Sequence, residues 1–271
     1  MPYAEQLFDL TDRVVLITGG SRGLGREMAF ATARCGADVV IASRNMDNCL
    51  ATAKEIETET GRSAMPYAVH VGRWEQLDGL VEATYERFGK VDTLINNAGM
   101  SPIYDKLTDV TEKLFDAVVN LNLKGPFRLS ALIGERMVEA GRGSIINVSS
   151  AGSLRPGPDI IPYAAAKAGL NAMTEGLARA FGPTVRVNTL MAGPFLTDIS
   201  KAWHLDQATQ SPFGHLSLQR AGRPSEIVGA ALFLALGCVE LHHRFDCADR
   251  RWDPLAAIAR AAEPGAAGRR Q

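Results

Sequence analysis

The chain has 271 residues, enough for one large α/β domain, with 46% apolar and 22% charged residues, values ordinary for a folded globular protein and against wholesale disorder. A formal net charge of −1 with a pI near 6.5 leaves no basic footprint for a phosphate backbone, so no nucleic acid partner is expected. No apolar segment reaches the ~18–20 residues of a spanning helix and "MPYAEQLFDLTDR" has no cationic start leading into an apolar run, so no membrane partner is expected either and the location expected is cytoplasmic.

In chain order, short β-branched runs alternate with longer amphipathic segments. "RVVLITGG" is followed by "REMAFATARCGA", "DVVIAS" by the helical "DNCLATAKEIETET", and "SAMPYAVHV" by "WEQLDGLVEATYERFG". Next come "VDTLINNAG", a long helical region from about Thr108 to Ala140, "GSIINVSS", a helix from about Tyr163 to Ala180, and "TVRVNTLMA". Near-continuous apolar strands separated by helices predict a parallel sheet covered on both faces. With no repeat or long linker to break the alternation, the fold class expected is α/β, a single doubly wound (Rossmann) domain. Phe195 to Pro224 is the one long irregular stretch, the length expected of a lid or binding loop. Cys35 and Cys49 are isolated in helical context, which fits a reducing compartment.

"TGGSRGLG" directly follows the first strand and opens the first helix, the context required of a dinucleotide-binding loop. Gly19, Gly23 and Gly25 allow the tight turn and close approach of a pyrophosphate to N–H groups at the helix start, with Ser21, Arg22 and Leu24 completing the loop. The second strand ends in "IASRN", where an NAD-selective site places a carboxylate. Ser43 and Arg44 stand there instead, and Arg22 can converge on the same place, so charge-assisted bonds to a 2′-phosphate make NADP (NADPH) the expected cofactor.

Tyr163 and Lys167 in "YAAAK" share a helix face, and an ammonium beside a phenol lowers its pKa toward usable values. The strand ending in Ser149 and Ser150 precedes this helix by one loop. A hydroxyl at that strand end can hold a carbonyl oxygen while Tyr163 donates its proton.

"TGGSRGLG", "NNAG", the "NLKGPF" run from Asn122, "NVSS" and "YAAAK" occur in the order and approximate spacing of the short-chain dehydrogenase/reductase family, which the chain resembles from about Leu10 to Ala235. The resemblance implies that Tyr163 is the general acid/base and that Ser150 orients the substrate oxygen; adjacent Ser149 is admitted by spacing too, but the step from Ser150 to Tyr163 is the family's usual one. It implies that Lys167 binds the nicotinamide ribose and lowers the Tyr163 pKa. Asn122 would hold a proton-relaying water, and Asn97, Ala98 and Gly99 would line the cofactor. Two motifs depart. His70 and Val71 replace the family's aspartate and valine at the adenine amino group, where a neutral imidazole nitrogen could accept the bond. "MAGPFLTD" shifts the family's proline, leaving Gly193 and Thr197 as expected carboxamide-side contacts. The implied function is hydride transfer between NADP and a small-molecule carbonyl or secondary alcohol, in a homo-oligomer. The alternative is a catalytically impaired NADP-binding or interaction protein on the same scaffold.

The resemblance stops after Ala235, so the expected division is 1–235 as the NADP-binding and catalytic domain and 236–271 as an atypical tail. "LGCVELHHRFDCADRRWDP" offers Cys238, His242, His243 and Cys247, but no second ligand pair at structural spacing accompanies them, so no metal is expected. Codons for this stretch can be read one base on as Ser-Asp-Ala-Ser-Ser-Phe-Thr-Thr-Gly-Ser-Ile-Ala-Arg-Thr-Asp-Gly-Gly-Ile, the ending usual in the family. Some steps leave little freedom: the single Trp252 codon forces a glycine, and the two histidines give only isoleucine or threonine. The expectation is a frameshifted reading of an ordinary ending, with the last strand missing or altered.

Overall fold

The computed structural model describes residues 8–197 and 218–236. β1 (Val14–Thr18) is buried along its whole length, because helices cover both faces of the sheet. Its side chains alternate between two cores. Val15 and Ile17 join Met28, Phe30, Ile41 and Leu234, whereas Val14 and Leu16 join Leu77, Leu94, Leu129 and Ile133 on the other face.

The other strands are β2 (Asp38–Ser43), β3 (Ala64–Ala68), β4 (Thr93–Asn96), β5 (Gly143–Ser150) and β6 (Val185–Ala192). All neighbours pair in parallel, in the order β3-β2-β1-β4-β5-β6. Strand order therefore reverses between β1 and β4, and a ligand crevice opens beyond the carboxyl ends of these strands. At the opposite end of the sheet, buried Asp92 accepts a hydrogen bond from Val14 N at 2.9 Å and pairs with Arg13, Lys90 and Arg142 at 3.2–3.3 Å. That cluster fixes the start of β1 relative to β4 and leaves the carboxyl ends free for chemistry.

The helices are α1 (Gly23–Arg34), α2 (Met46–Thr60), α3 (Trp74–Phe88), α4 (Glu112–Val119), α5 (Gly125–Glu139), α6 (Ile161–Phe181) and α7 (Val228–Ala235). The helical region expected from about Thr108 to Ala140 consists of a short 3-10 turn at Leu107–Asp109, then α4 and α5 joined through a π-helical segment, Asn120–Lys124. Pro126 follows that segment and has no N–H to donate to the preceding turn, which favours local widening.

α7 is tied to the sheet at its end. Ser144 Oγ donates to Leu234 O at 2.8 Å, and the buried Arg186 donates to Leu234 O at 3.0 Å and Leu236 O at 2.7 Å. These bonds satisfy carbonyls that a helix terminus leaves orphaned. Among the described residues β3 and β6 are the two sheet edges, and no helix is long and apolar enough to cross a membrane. The last strand expected to be missing or altered, and the Cys238, His242, His243 and Cys247 group, lie outside the described residues.

Candidate active site

The glycine loop turns from β1 into α1 with Gly19 at φ 67° and Gly23 at φ 52°, the left-handed region that favours glycine. A Cβ at Gly25 would run into the Gly19 carbonyl and the Asn97 amide, so the turn closes to backbone packing distance. Asn97 holds it there: its Nδ2 donates to Thr18 O at 3.0 Å and Gly19 O at 3.3 Å, while Asn97 N and Ala98 N both donate to Thr18 Oγ1. Leu24 packs against the core beneath the loop, and Thr197 sits above Gly23. Gly193 directly follows β6 at the same end of the sheet. The loop is thus a cradle that a side chain would fill, at the positive end of α1, and it fits a dinucleotide pyrophosphate.

At the end of β2, the hydroxyls of Ser21 and Ser43 lie 2.8 Å apart. Helix α2 holds both residues from behind: Cys49 Sγ contacts Ser43 Oγ at 3.2 Å, and Thr52 Oγ1 donates to Ser21 O at 3.4 Å. Arg22 caps the start of α1 and Arg44 is exposed beside Ser43. The pocket end therefore offers hydroxyls and guanidinium groups, a donor set that fits a phosphate.

Beyond the end of β3, the Val71 side chain is buried in the core and its carbonyl packs against Gly125. His70 is partly buried, its N–H donating to Gln76 Oε1 at 2.9 Å and its Nδ1 accepting from Gly72 N at 3.1 Å. Burial, followed by the charges of Arg44 and Arg73, lowers the pKa of this imidazole. One ring nitrogen, Nδ1, is thereby engaged with Gly72.

β5 delivers the reactive end. Ser149 is buried and donates to Lys167 O at 3.4 Å, so Ser150, whose Oγ also accepts from Gly152 N at 3.1 Å, is the serine that faces Tyr163. Lys167 is buried on α6 and donates from Nζ to Val148 O at 2.7 Å, with Nζ 5.9 Å from the Tyr163 ring centroid. Burial lowers its pKa from 10.5 to about 8. The Tyr163 phenol moves opposite to the sequence expectation: burial raises its pKa and the bond with Ser150 lowers it by less. Desolvation outweighs the ammonium because Nζ is committed to the Val148 carbonyl rather than to the phenol oxygen.

Asn122 is fully buried in the π-helical segment. Its Nδ2 donates to Met100 O and Val118 O, both at 2.9 Å, and its Oδ1 accepts from Met100 N at 3.4 Å. A Cβ on Gly99 would meet Asn122 Oδ1 at 2.8 Å and Lys167 Nζ at 3.8 Å, so Gly99 is the gap where these two side chains converge. Tyr104 joins two loops over the crevice: its hydroxyl donates to Pro158 O at 3.0 Å and accepts from Ile161 N at 2.9 Å. Thr18, Cys49 and Arg73 escaped sequence reading. Thr18 was the most accessible of them, as the polar residue ending an otherwise apolar strand. Of the stretch expected as a lid or binding loop, Phe195 packs on Gly222, while residues 198–217 lie outside the described residues.

Residues 13–208 match the short chain dehydrogenase family. The chain belongs to this family. The short-chain dehydrogenase relatives include a zebrafish (Danio rerio) peroxisomal 2,4-dienoyl-CoA reductase, 36% identical over 229 residues, 83% of this chain and 76% of that protein. Among solved structures, one described as a short-chain alcohol dehydrogenase from Sinorhizobium meliloti is 34% identical with a TM-score of 0.83, covering 88% of this chain and 95% of that one. An NADPH-dependent 3-quinuclidinone reductase from Rhodotorula rubra is 27% identical with a TM-score of 0.81, covering 87% and 88%. As a short-chain dehydrogenase the protein is an oxidoreductase using a nicotinamide cofactor on small-molecule substrates.

Proposed function

We propose that this oxidoreductase uses NADP(H) to interconvert a carbonyl and a secondary alcohol, with Ser150, Tyr163, Lys167 and Asn122 as its catalytic group. The observation that carries the reading is the meeting of the Ser150 and Tyr163 hydroxyls at the carboxyl end of β5, beside buried Lys167. The nicotinamide, when bound, supplies or accepts the hydride. Ser150 holds the substrate oxygen, and Tyr163, kept as a neutral phenol by burial, donates a proton to that oxygen in reduction. Lys167 presents an ammonium with a pKa of about 8, close enough to neutrality to pass protons inward from solvent by way of Asn122 and water. The hydroxyl and guanidinium groups of Ser21, Ser43, Arg22 and Arg44 support the 2′-phosphate, and the NADPH-dependent reductase among the structural relatives agrees with that choice.

The test is Tyr163→Phe in a panel of ketones and aldehydes with NADPH. Turnover should fall by about 10²-fold or more while NADPH binding changes little. Equal loss of both would remove the role given to Tyr163, and no turnover by the wild type would favour a non-catalytic NADP-binding protein.

We further propose a cytoplasmic homo-oligomer: Cys35 and Cys49 are free thiols, and Phe115 and Phe127 are exposed apolar groups of the kind subunit contacts cover. We also retain the division at Leu236, with 236–271 read out of frame. The anchoring of α7 by Arg186 and Ser144 up to Leu236 supports a family-like chain to that point.

A further inference from the structure

The first turn of α6 carries Tyr163 as its third residue, and it begins with little local support. Its N-cap, Ile160, makes no side-chain cap bond, and Pro162 has no N–H to offer. Further along, α6 is bound to the end of β5 and the turn after it. Lys167 Nζ donates to Val148 O, Ser149 Oγ donates to Lys167 O, and Asn171 Nδ2 donates at 2.9 Å to Ser153 Oγ, which in turn donates to Ser150 O at 2.6 Å. The N–H of Ile161, two residues before Tyr163, is held from a distant segment. It donates at 2.9 Å to the hydroxyl of Tyr104, and that hydroxyl donates at 3.0 Å to Pro158 O.

A phenolic hydroxyl has one proton to give and can accept at the same time. Both uses are filled at Tyr104, so a single side chain from the β4–α4 loop closes the segment leading into α6 and caps the helix that holds the proton donor. The other end of this stretch is fixed at the reacting site. Met100 O accepts from Asn122 Nδ2 at 2.9 Å, and Met100 N donates to Asn122 Oδ1 at 3.4 Å. Residues 100–104 therefore reach from the anchor of Asn122 to the start of α6. Tyr104 is half-buried while Pro158 and Ile161 are exposed, so water can replace both bonds and the fold has little to lose without them. Position has more at stake, because a displacement of about 1 Å at a reacting group can cost about 10²-fold in rate.

We propose that Tyr104 is a positioning residue for the reaction: its hydroxyl clasps the β4–α4 loop to the start of α6 and so sets where the Tyr163 phenol stands against the substrate oxygen. Tyr104 itself carries no proton in the chemistry, since its own is committed to Pro158 O. The inference rests on the reading of Tyr163 as the proton donor.

The experiment compares Tyr104→Phe with the wild type, each as the full chain. Without ligand, hydrogen exchange should quicken in the peptide holding Ile161 and Ala164 and stay unchanged in the strands, with the melting temperature within about 2 °C. In single turnovers of NADPH with the carbonyl compound that the wild type reduces fastest, the saturating rate constant should fall about tenfold at full amplitude, while half-saturation by substrate and NADPH affinity change by less than about twofold. An unchanged rate constant, or unchanged exchange at the start of α6, overturns the proposal. A variant that does not fold, or that loses amplitude, NADPH affinity and melting temperature together, makes Tyr104 a structural residue and overturns it as well. Weaker half-saturation at an intact rate constant makes Tyr104 a substrate contact, with the same consequence. The two readings fail differently: a wild type that reduces no carbonyl compound removes the role of Tyr163 and leaves Tyr104 nothing to position, whereas an active wild type with an equally fast Tyr104→Phe variant removes Tyr104 alone.

Discussion

Replacing Lys167 by methionine should stabilise the protein below pH 8 while abolishing its chemistry. Lys167 is buried with Val148 O as the hydrogen-bond acceptor of its Nζ, and its pKa falls from 10.5 to about 8. At 1.36 kcal/mol per pKa unit, holding the ammonium in the fold costs about 3 kcal/mol at neutral pH. Between the folded and unfolded values the unfolded chain binds more protons, so wild-type stability rises with pH across that window. Below pH 8 the full cost is present. Methionine carries no charge, but it strands the Val148 carbonyl, a loss of about 1–2 kcal/mol. The variant should therefore exceed the wild type by about 1–2 kcal/mol at pH 7 and fall below it near pH 10. Tyr163 is raised by burial and so lowers stability above pH 10, but it is present in both proteins and cancels in the difference. Urea denaturation of the two proteins from pH 7 to 10.5 reads the effect, and turnover should drop by about 10²-fold or more. A stability difference that stays flat with pH would refute the buried, costly ammonium.

Arg44→Asp should move cofactor preference from NADPH toward NADH by about tenfold or more, measured as the ratio of kcat/KM values; an unchanged ratio would show that Arg44 does not meet the 2′-phosphate. Gly25→Ala places a Cβ against the Gly19 carbonyl and the Asn97 amide, so melting temperature should fall by several degrees and NADPH affinity with it, read by scanning fluorimetry and titration; unchanged values would contradict the close packing. Replacing Leu236 onward by the one-base-shifted ending should raise melting temperature and turnover together, because it supplies a partner for the β6 edge; no gain, or coding DNA that cannot be read in that way, removes the frameshift.

The sheet was legible because buried parallel strands are written as unbroken apolar runs. All six expected strands occur, and the reversal between β1 and β4 places the glycine loop where its motif required. The helical region expected from about Thr108 to Ala140 occurs, but its internal π segment was not legible. Amphipathic periodicity runs straight through Asn120–Lys124, and a π turn alters the hydrogen-bond register without altering the pattern of side chains enough to be seen. Spacing put Tyr163 and Lys167 on one face, as found, yet it carried no information on burial. That is why the phenol was expected to shift down and instead shifts up. Family spacing already favoured Ser150 over Ser149, and the strand supplies the physical reason: successive residues face opposite ways, and Ser149 is the one turned toward the α6 backbone.

The residues that sequence left unassigned share a physical cause. Cys49 and Gln76 each reach six residues back, to Ser43 and His70, across a strand end, while Thr18 and Thr52 act on segments distant in the chain, through contacts that have no fixed spacing. The same is true of the reactive side chains. Lys167 is held by Val148 O, Asn122 by Met100 and Val118, Asn97 by Thr18 and Gly19, and Ser149 by Lys167 O. Lys167, Asn122 and Asn97 are thus oriented chiefly by backbone atoms, whereas Ser150 and Tyr163, like Ser21 and Ser43, meet through their own hydroxyls. Removing the Tyr163 hydroxyl leaves the anchors of Lys167 and Asn122 in place, since neither bonds to it. A loss of turnover in Tyr163→Phe with cofactor binding retained would therefore report the proton itself, and a collapse of binding would report that the phenol also holds the fold of the crevice, for which these contacts supply no reason.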